Sequence, residues 1–151
     1  MIKIICVGKL KEKYLLDAIK EYEKRLSKYT KLKIIEVSDI DNPNIEIVLS
    51  KEKDLIQKQI EDKDYVITLE IEGNMLTSEE LANKIDNIFN TNSTITFIIG
   101  GSYGLHNDIK KRSNYKLSFS KLTFPHQLFR VNLLEQIYRS FKINNNESYH
   151  K

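Results

Sequence analysis

The sequence predicts an α/β protein, a parallel-type sheet flanked by helices, and three observations carry that prediction. Short apolar runs of strand length alternate with longer stretches whose apolar residues recur at helical spacing. A glycine-rich turn, Gly100-Gly101-Ser102-Tyr103-Gly104, joins one of the last strands to a short helix. A chain of 151 residues supports one ordinary core but not two, so a single domain over 1–151 is expected.

Met1-Ile-Lys-Ile-Ile-Cys-Val-Gly8 reads as the first strand. It is too short for a secretion signal and lacks both a basic leader and a small-residue cleavage site. From Lys11 to Tyr29 the stripe Leu15, Ala18, Ile19, Tyr22, Leu26 marks a helix. Lys31–Val37 reads as a strand, and Ser38–Asn44, with Pro43, as a loop. Ile45–Glu61 reads as a helix with a less regular stripe, Leu49, Leu55, Ile56, Ile60. Asp64–Leu69 is the third strand, closed by a turn at Glu72-Gly73-Asn74. Thr77 and Glu80 have capping-box spacing and start a helix bearing Leu81, Ile85, Ile88 and Phe89. Thr94–Ile99, a short helix over Asn107–Ser113, a strand over Tyr115–Phe119 and a long helix from Pro125, read as its N1 residue, to about Asn144 complete the pattern.

Composition narrows the setting. No apolar stretch approaches the roughly 20 residues of a membrane span, so no membrane partner is expected, and no metal is expected either. The single cysteine, Cys6, permits no intrachain disulfide, which suits a reducing, cytoplasmic compartment; in a strand it reads as a small buried hydrophobe. Net charge is +3. Lys9, Lys11 and Lys13, and the run Lys110-Lys111-Arg112, are either solvated helix faces or contacts to phosphate.

In parallel sheets ligands sit beyond the carboxyl ends of the strands, which directs attention to Glu70–Leu76, Gly100–Gly104 and Ser120–Pro125. The Gly-Gly-x-x-Gly follows a late strand and has no acidic residue about 20 positions on, so a dinucleotide site is disfavoured. These glycines make either a tight turn or a place where main chain meets ligand. The last helix is apolar over most of its circumference, from Leu128 to Phe141, which a single sheet cannot cover; a homodimer is the economical expectation. Asn132, Glu135 and Arg139 lie on it at neighbouring spacing, forming either an interior ion pair or part of a shared site.

Leu69-Glu-Ile-Glu-Gly-Asn-Met-Leu-Thr-Ser-Glu-Glu-Leu81, Phe97-Ile-Ile-Gly-Gly-Ser-Tyr-Gly-Leu105, Leu117-Ser-Phe-Ser-Lys-Leu-Thr-Phe-Pro-His-Gln127, Glu135-Gln-Ile-Tyr-Arg139 and Tyr149-His-Lys151 together resemble the RlmH family of bacterial ribosomal RNA methyltransferases. That family belongs to the SPOUT class. The resemblance implies a deep C-terminal trefoil knot, which no pattern rule would give. It implies S-adenosylmethionine as cofactor, held by Leu69, Gly100 and the segment Phe119, Ser120, Lys121, Leu122, Thr123, Phe124. It implies a pseudouridine of 23S rRNA, methylated at N3 in the assembled ribosome, as substrate. It also implies that the tail reaches the partner's cofactor, so that Glu135, Arg139, Tyr149 and His150 form the catalytic group of a composite site. His150 is either the base that removes the N3 proton or a donor that positions the substrate. His126 is expected to stay neutral at a helix N-terminus and to order the cofactor loop; His106 has no evident role. A catalytically silent ribosome-binding protein of the same fold is the alternative.

Overall fold

A computed structural model describes residues 1–151. Ten elements follow in order: β1 (Ile2–Val7), α1 (Lys13–Leu26), β2 (Leu32–Val37), α2 (Ile45–Gln57), β3 (Tyr65–Met75), α3 (Ser78–Phe89), β4 (Ile95–Ile99), α4 (Asn107–Arg112), β5 (Tyr115–Ser118) and α5 (His126–Asn144). The five strands form one sheet in the order β2-β1-β4-β3-β5, and every pairing is parallel.

The central strands β1 and β4 are buried along their whole length, as unbroken apolar runs require when helices cover both faces. Alternation then divides the core. Ile2, Ile4 and Cys6 point to the side of α1, α3 and α5, whereas Ile5 and Val7 meet Ile56 of α2 and Ile109 of α4. Cys6 lies in the larger cluster, and burial pushes its thiol up to about 12, so it behaves as a hydrophobe rather than a nucleophile. The capping box of α3 forms as predicted: Thr77 Oγ1 accepts from the Glu80 N–H and Glu80 accepts from the Thr77 N–H.

Four expectations are corrected. No turn interrupts at Gly73: β3 runs through it to Met75, with a bulge opposite Leu117. Glycine is needed because a Cβ there would lie 2.9 Å from the main chain of Lys116 and Leu117. The buried stripe of α2 is Val48, Glu52 and Ile56 rather than one through Leu49 and Leu55. Pro125 is the N-cap of α5, with its ψ of 128° outside the helix, not its first helical residue. Finally, most of the apolar surplus of α5 is met within the chain, with Leu128, 40% exposed, the exception. α1 and α3 flank it, and Leu133, Leu134 and Ile137 are 0% exposed in the main cluster. The premise that suggested a second copy along these residues therefore fails, since three neighbours rather than one sheet cover the helix.

The tail is likewise not loose. Glu147 accepts hydrogen bonds from Tyr29 and Lys142, and the Tyr149 ring meets that of Tyr138 edge-on at 5.0 Å.

Candidate active site

The carboxyl ends of β3, β4 and β5 open into a cavity lined by Leu69, Glu70, Ile99, Gly100, Leu117 and Phe119, among others. Its position follows from strand order. β5 is the sheet edge, yet soon after it Arg130 of α5 meets β1, so the intervening segment crosses the carboxyl ends of β3 and β4 and roofs the cavity.

Arg130, which sequence reasoning missed, fixes that crossing. Its side chain is almost wholly buried; Nη2 donates to the carbonyls of Val7 (3.1 Å) and Gly8 (2.8 Å), and Nη1 donates to Glu36 (2.7 Å). Glu36 also accepts from the Leu10 N–H, so one carboxylate ties together the end of β2, the turn after β1 and the start of α5. A buried guanidinium demands such partners. The only sequence signal was an arginine inside an otherwise apolar helix turn.

Each predicted cofactor residue except Lys121, whose side chain points outward, lines the cavity: Leu69, Gly100, Phe119, Ser120, Leu122, Thr123 and Phe124. In this segment the main-chain N–H of Leu122 is taken by Ser120 Oγ (3.0 Å), while those of Ser120, Lys121, Thr123 and Phe124 find no partner in the chain. Below them lies an aromatic floor in which Phe129 meets Phe119 at 4.7 Å and Phe124 at 5.9 Å. Gly100 is required by close approach rather than by left-handed backbone: a Cβ would stand 2.7 Å from the Gly104 carbonyl oxygen, and Gly104 is the residue with positive φ, 78°.

Glu70, which opens the first of the three stretches expected to meet a ligand, and His126, expected to order the cofactor loop, also line the cavity. Thr68 Oγ1 donates to Glu70 at 2.6 Å, and Lys110 approaches it at 3.9 Å. His126, the first residue of α5, is held below its ordinary pKa by burial and then by the Arg130 charge, against the opposing pull of Asp39; it is a neutral ring beside the pocket, as expected. His106 caps α4, its Nδ1 accepting from the Asp108 N–H, which supplies the role it lacked.

The four predicted catalytic residues come together, but elsewhere. Glu135 Oε1 accepts from Arg139 Nε (3.1 Å), Arg139 Nη2 (2.5 Å) and the Tyr149 hydroxyl (3.1 Å), and Arg139 Nη1 contacts His150 Nδ1 at 3.1 Å. None of the four lines the cavity. Burial, then the Glu135 carboxylate, pushes the Tyr149 hydroxyl up to about 12, so it stays protonated and serves as a donor. Glu79 and Gln136 extend the cluster. His150 Nε2 lies 2.7 Å from Glu79, and Gln136 bridges Glu135 to Ser78.

The basic residues divide. Arg112 is structural, donating to the carbonyls of Glu61, Asp62 and Asp64, and Lys13 pairs with Asp17. Lys9, Lys11 and Lys111 are exposed and make no ion pair.

The family model described as predicted SPOUT methyltransferase matches residues 1–150. This chain belongs to the SPOUT methyltransferase family. The protein is a methyltransferase. It is 57% identical, over 99% of both chains, to the ribosomal RNA large subunit methyltransferase H of Clostridium botulinum strain Alaska E43. It is 55% identical, with the same coverage, to that of strain Eklund 17B. The fold is similar to that of a solved probable methylase family protein from Haemophilus influenzae, with a TM-score of 0.60 at 13% identity, covering 99% of this chain and 70% of the other.

Proposed function

We propose that this methyltransferase transfers a methyl group from S-adenosylmethionine to N3 of a pseudouridine in 23S rRNA of the assembled ribosome, and that it acts as a homodimer. The rRNA substrate rests on what the relatives are named for. One observation carries the cofactor: the unpaired main-chain donors between Ser120 and Phe124 stand over an aromatic floor. A purine has a flat apolar face and a polar edge, and this arrangement meets both. Glu70, the acidic group of the cavity, suits the hydroxyls or the ammonium of such a ligand. When bound, the sulfonium would supply a methyl carbon whose bonding pair to sulfur leaves with sulfur as the N3 lone pair forms the new bond. The remaining work falls to side chains: aligning the base and taking the N3 proton.

The homodimer is supported by separation. His126 at the pocket and Arg139 in the cluster lie on one helix, 13 residues apart and so roughly 20 Å along its axis. A second copy would bring its Glu135, Arg139, Tyr149 and His150 to the pocket of the first. The apolar rim formed by Ile71, Leu122 and Phe124, of which Leu122 is 72% exposed, is a surface such a copy would cover. The trefoil knot belongs to the same reading, supported by the crossing segment that leads from the sheet edge back to β1. Lys9, Lys11 and Lys111 would meet phosphates, and a ribosomal substrate would place the protein in the cytoplasm.

Calorimetry with S-adenosylmethionine and methylation of ribosomes lacking the modification test this. Tight binding with transfer to N3 is expected. Ribosome binding without cofactor binding would instead support the silent binder.

A further inference from the structure

His150 is held on both ring nitrogens, and its neighbours dictate where its proton sits. Nδ1 lies 3.1 Å from Arg139 Nη1 and Nε2 lies 2.7 Å from Glu79 Oε1. A guanidinium can only donate, so Nδ1 must present its lone pair. A carboxylate can only accept, so Nε2 must carry the hydrogen. Glu79 meets that requirement, because the backbone N–H at the start of α3, and then His150, hold its carboxyl below the usual range and keep it ionised.

We propose that Glu79 is a positioning residue that fixes the Nε2–H tautomer of His150, making Arg139 Nη1 and His150 Nδ1 a donor–acceptor pair that reads the carbonyl and N3–H of a uracil-type base. The inference rests on the reading that this cluster faces the substrate. Two arms of Arg139 are committed to Glu135, through Nε and Nη2, which leaves Nη1 as the free hand. A pseudouridine edge presents carbonyl, N3–H, carbonyl. Its carbonyl accepts from Nη1 and its N3–H donates to Nδ1, in place of the contact that these two side chains make with each other. Cytosine offers a lone pair at N3 and would oppose the lone pair of Nδ1. The N3 proton then has a place to go: it moves to Nδ1, leaving the N3 lone pair free to bond, and the resulting imidazolium keeps its Nε2–H on the Glu79 carboxylate. His150 is thus an acceptor and base on its substrate side, not a donor. The opposite tautomer would place N–H against N–H at Arg139.

The test uses full-length protein. ¹⁵N shifts of the imidazole ring separate a nitrogen bearing hydrogen from one bearing a lone pair. Wild type should show Nε2–H with a lone pair at Nδ1. Glu79→Ala should give a mixed tautomer, unchanged S-adenosylmethionine affinity, and single-turnover transfer to ribosomes slowed roughly tenfold or more. Glu79→Gln, whose amide oxygen still accepts, should recover the tautomer and most of the rate, a rescue that a merely structural role for the charge would not produce. A wild-type ring with Nδ1–H, or an unchanged tautomer in Glu79→Ala, overturns the proposal. So does a changed tautomer with unchanged transfer while His150→Ala is inactive. If His150→Ala itself transfers at the wild-type rate, the placement of the cluster at the substrate fails as well, and the ring shifts still show separately whether Glu79 sets the tautomer.

Discussion

The two candidate functional regions of this protein are built on opposite plans, although one helix contributes to both. The pocket at the N-terminal end of α5 is made by main chain and apolar rings, with free N–H groups between Ser120 and Phe124 and a glycine placed where no Cβ fits. The cluster farther along α5 is made by charged side chains, and its order is an order of donors and acceptors around Glu135 and His150. Shape therefore decides the first region and hydrogen-bond polarity the second. Binding should fail when the pocket is crowded, and transfer should fail when the cluster is removed, each without the other.

Gly100→Val is the severest break on the pocket side. Its Cβ would fall 2.7 Å from the Gly104 carbonyl oxygen, and the turn must shift to admit it. Overpacking of this kind costs about 1–3 kcal/mol; the expected result is S-adenosylmethionine binding weakened about 10- to 100-fold, equivalent to about 1.4–2.8 kcal/mol, with circular dichroism unchanged. Wild-type binding by calorimetry would remove the glycine turn from the site. The converse break is a chain ending at Asn146. Cofactor binding should persist while transfer falls by at least about 10²-fold, the usual worth of a base. This cut should also lower stability, because it removes the Tyr149–Tyr138 ring contact, worth about 0.5–1.5 kcal/mol, and the Glu147 pairs. Mixing it with full-length Gly100→Val chains should restore transfer in the mixed dimer, and an inactive mixed dimer, verified by mass, would confine the tail to its own subunit.

Leu134→Ala probes what the regions share. The residue is 0% exposed between α1, α3 and the sheet, so a loss of about 2–5 kcal/mol in unfolding free energy is expected. A folded variant of normal stability that fails to dimerise would show instead that this face serves a partner. The smallest effect is at His126. Its folded pKa is lowered, so the unfolded chain takes up a proton there first as pH falls below about 6.5. Its contribution is fully present above that pH and is lost progressively down to the lowered folded value. His126→Gln should flatten the decline of urea midpoints below pH 6.5, and a parallel decline in both proteins would refute the assignment.

The sequence alone determined the ten elements, the parallel sheet and two of the three loops at its carboxyl end, Gly100–Gly104 and Ser120–Pro125, because period and turn chemistry are local properties; Glu70–Met75, read as a loop, continues β3. The Thr77–Glu80 capping box and the buried runs Ile2–Val7 and Ile95–Ile99 were legible for that reason. It also marked Glu135, Arg139, Tyr149 and His150 through a motif and a tail. Tertiary structure alone decided what depends on neighbours distant in the chain. Whether Gly73 turned or continued a strand hung on the main chain of Lys116 and Leu117 beside it. Whether the apolar girth of α5 sought another copy hung on α1 and α3. Arg130 and Glu36, 94 residues apart, and Glu79 and His150, 71 apart, carry no periodic signal; the first pair exists because burying a charge requires a partner, and the second, more exposed, because the fold brings the start of α3 within reach of the tail.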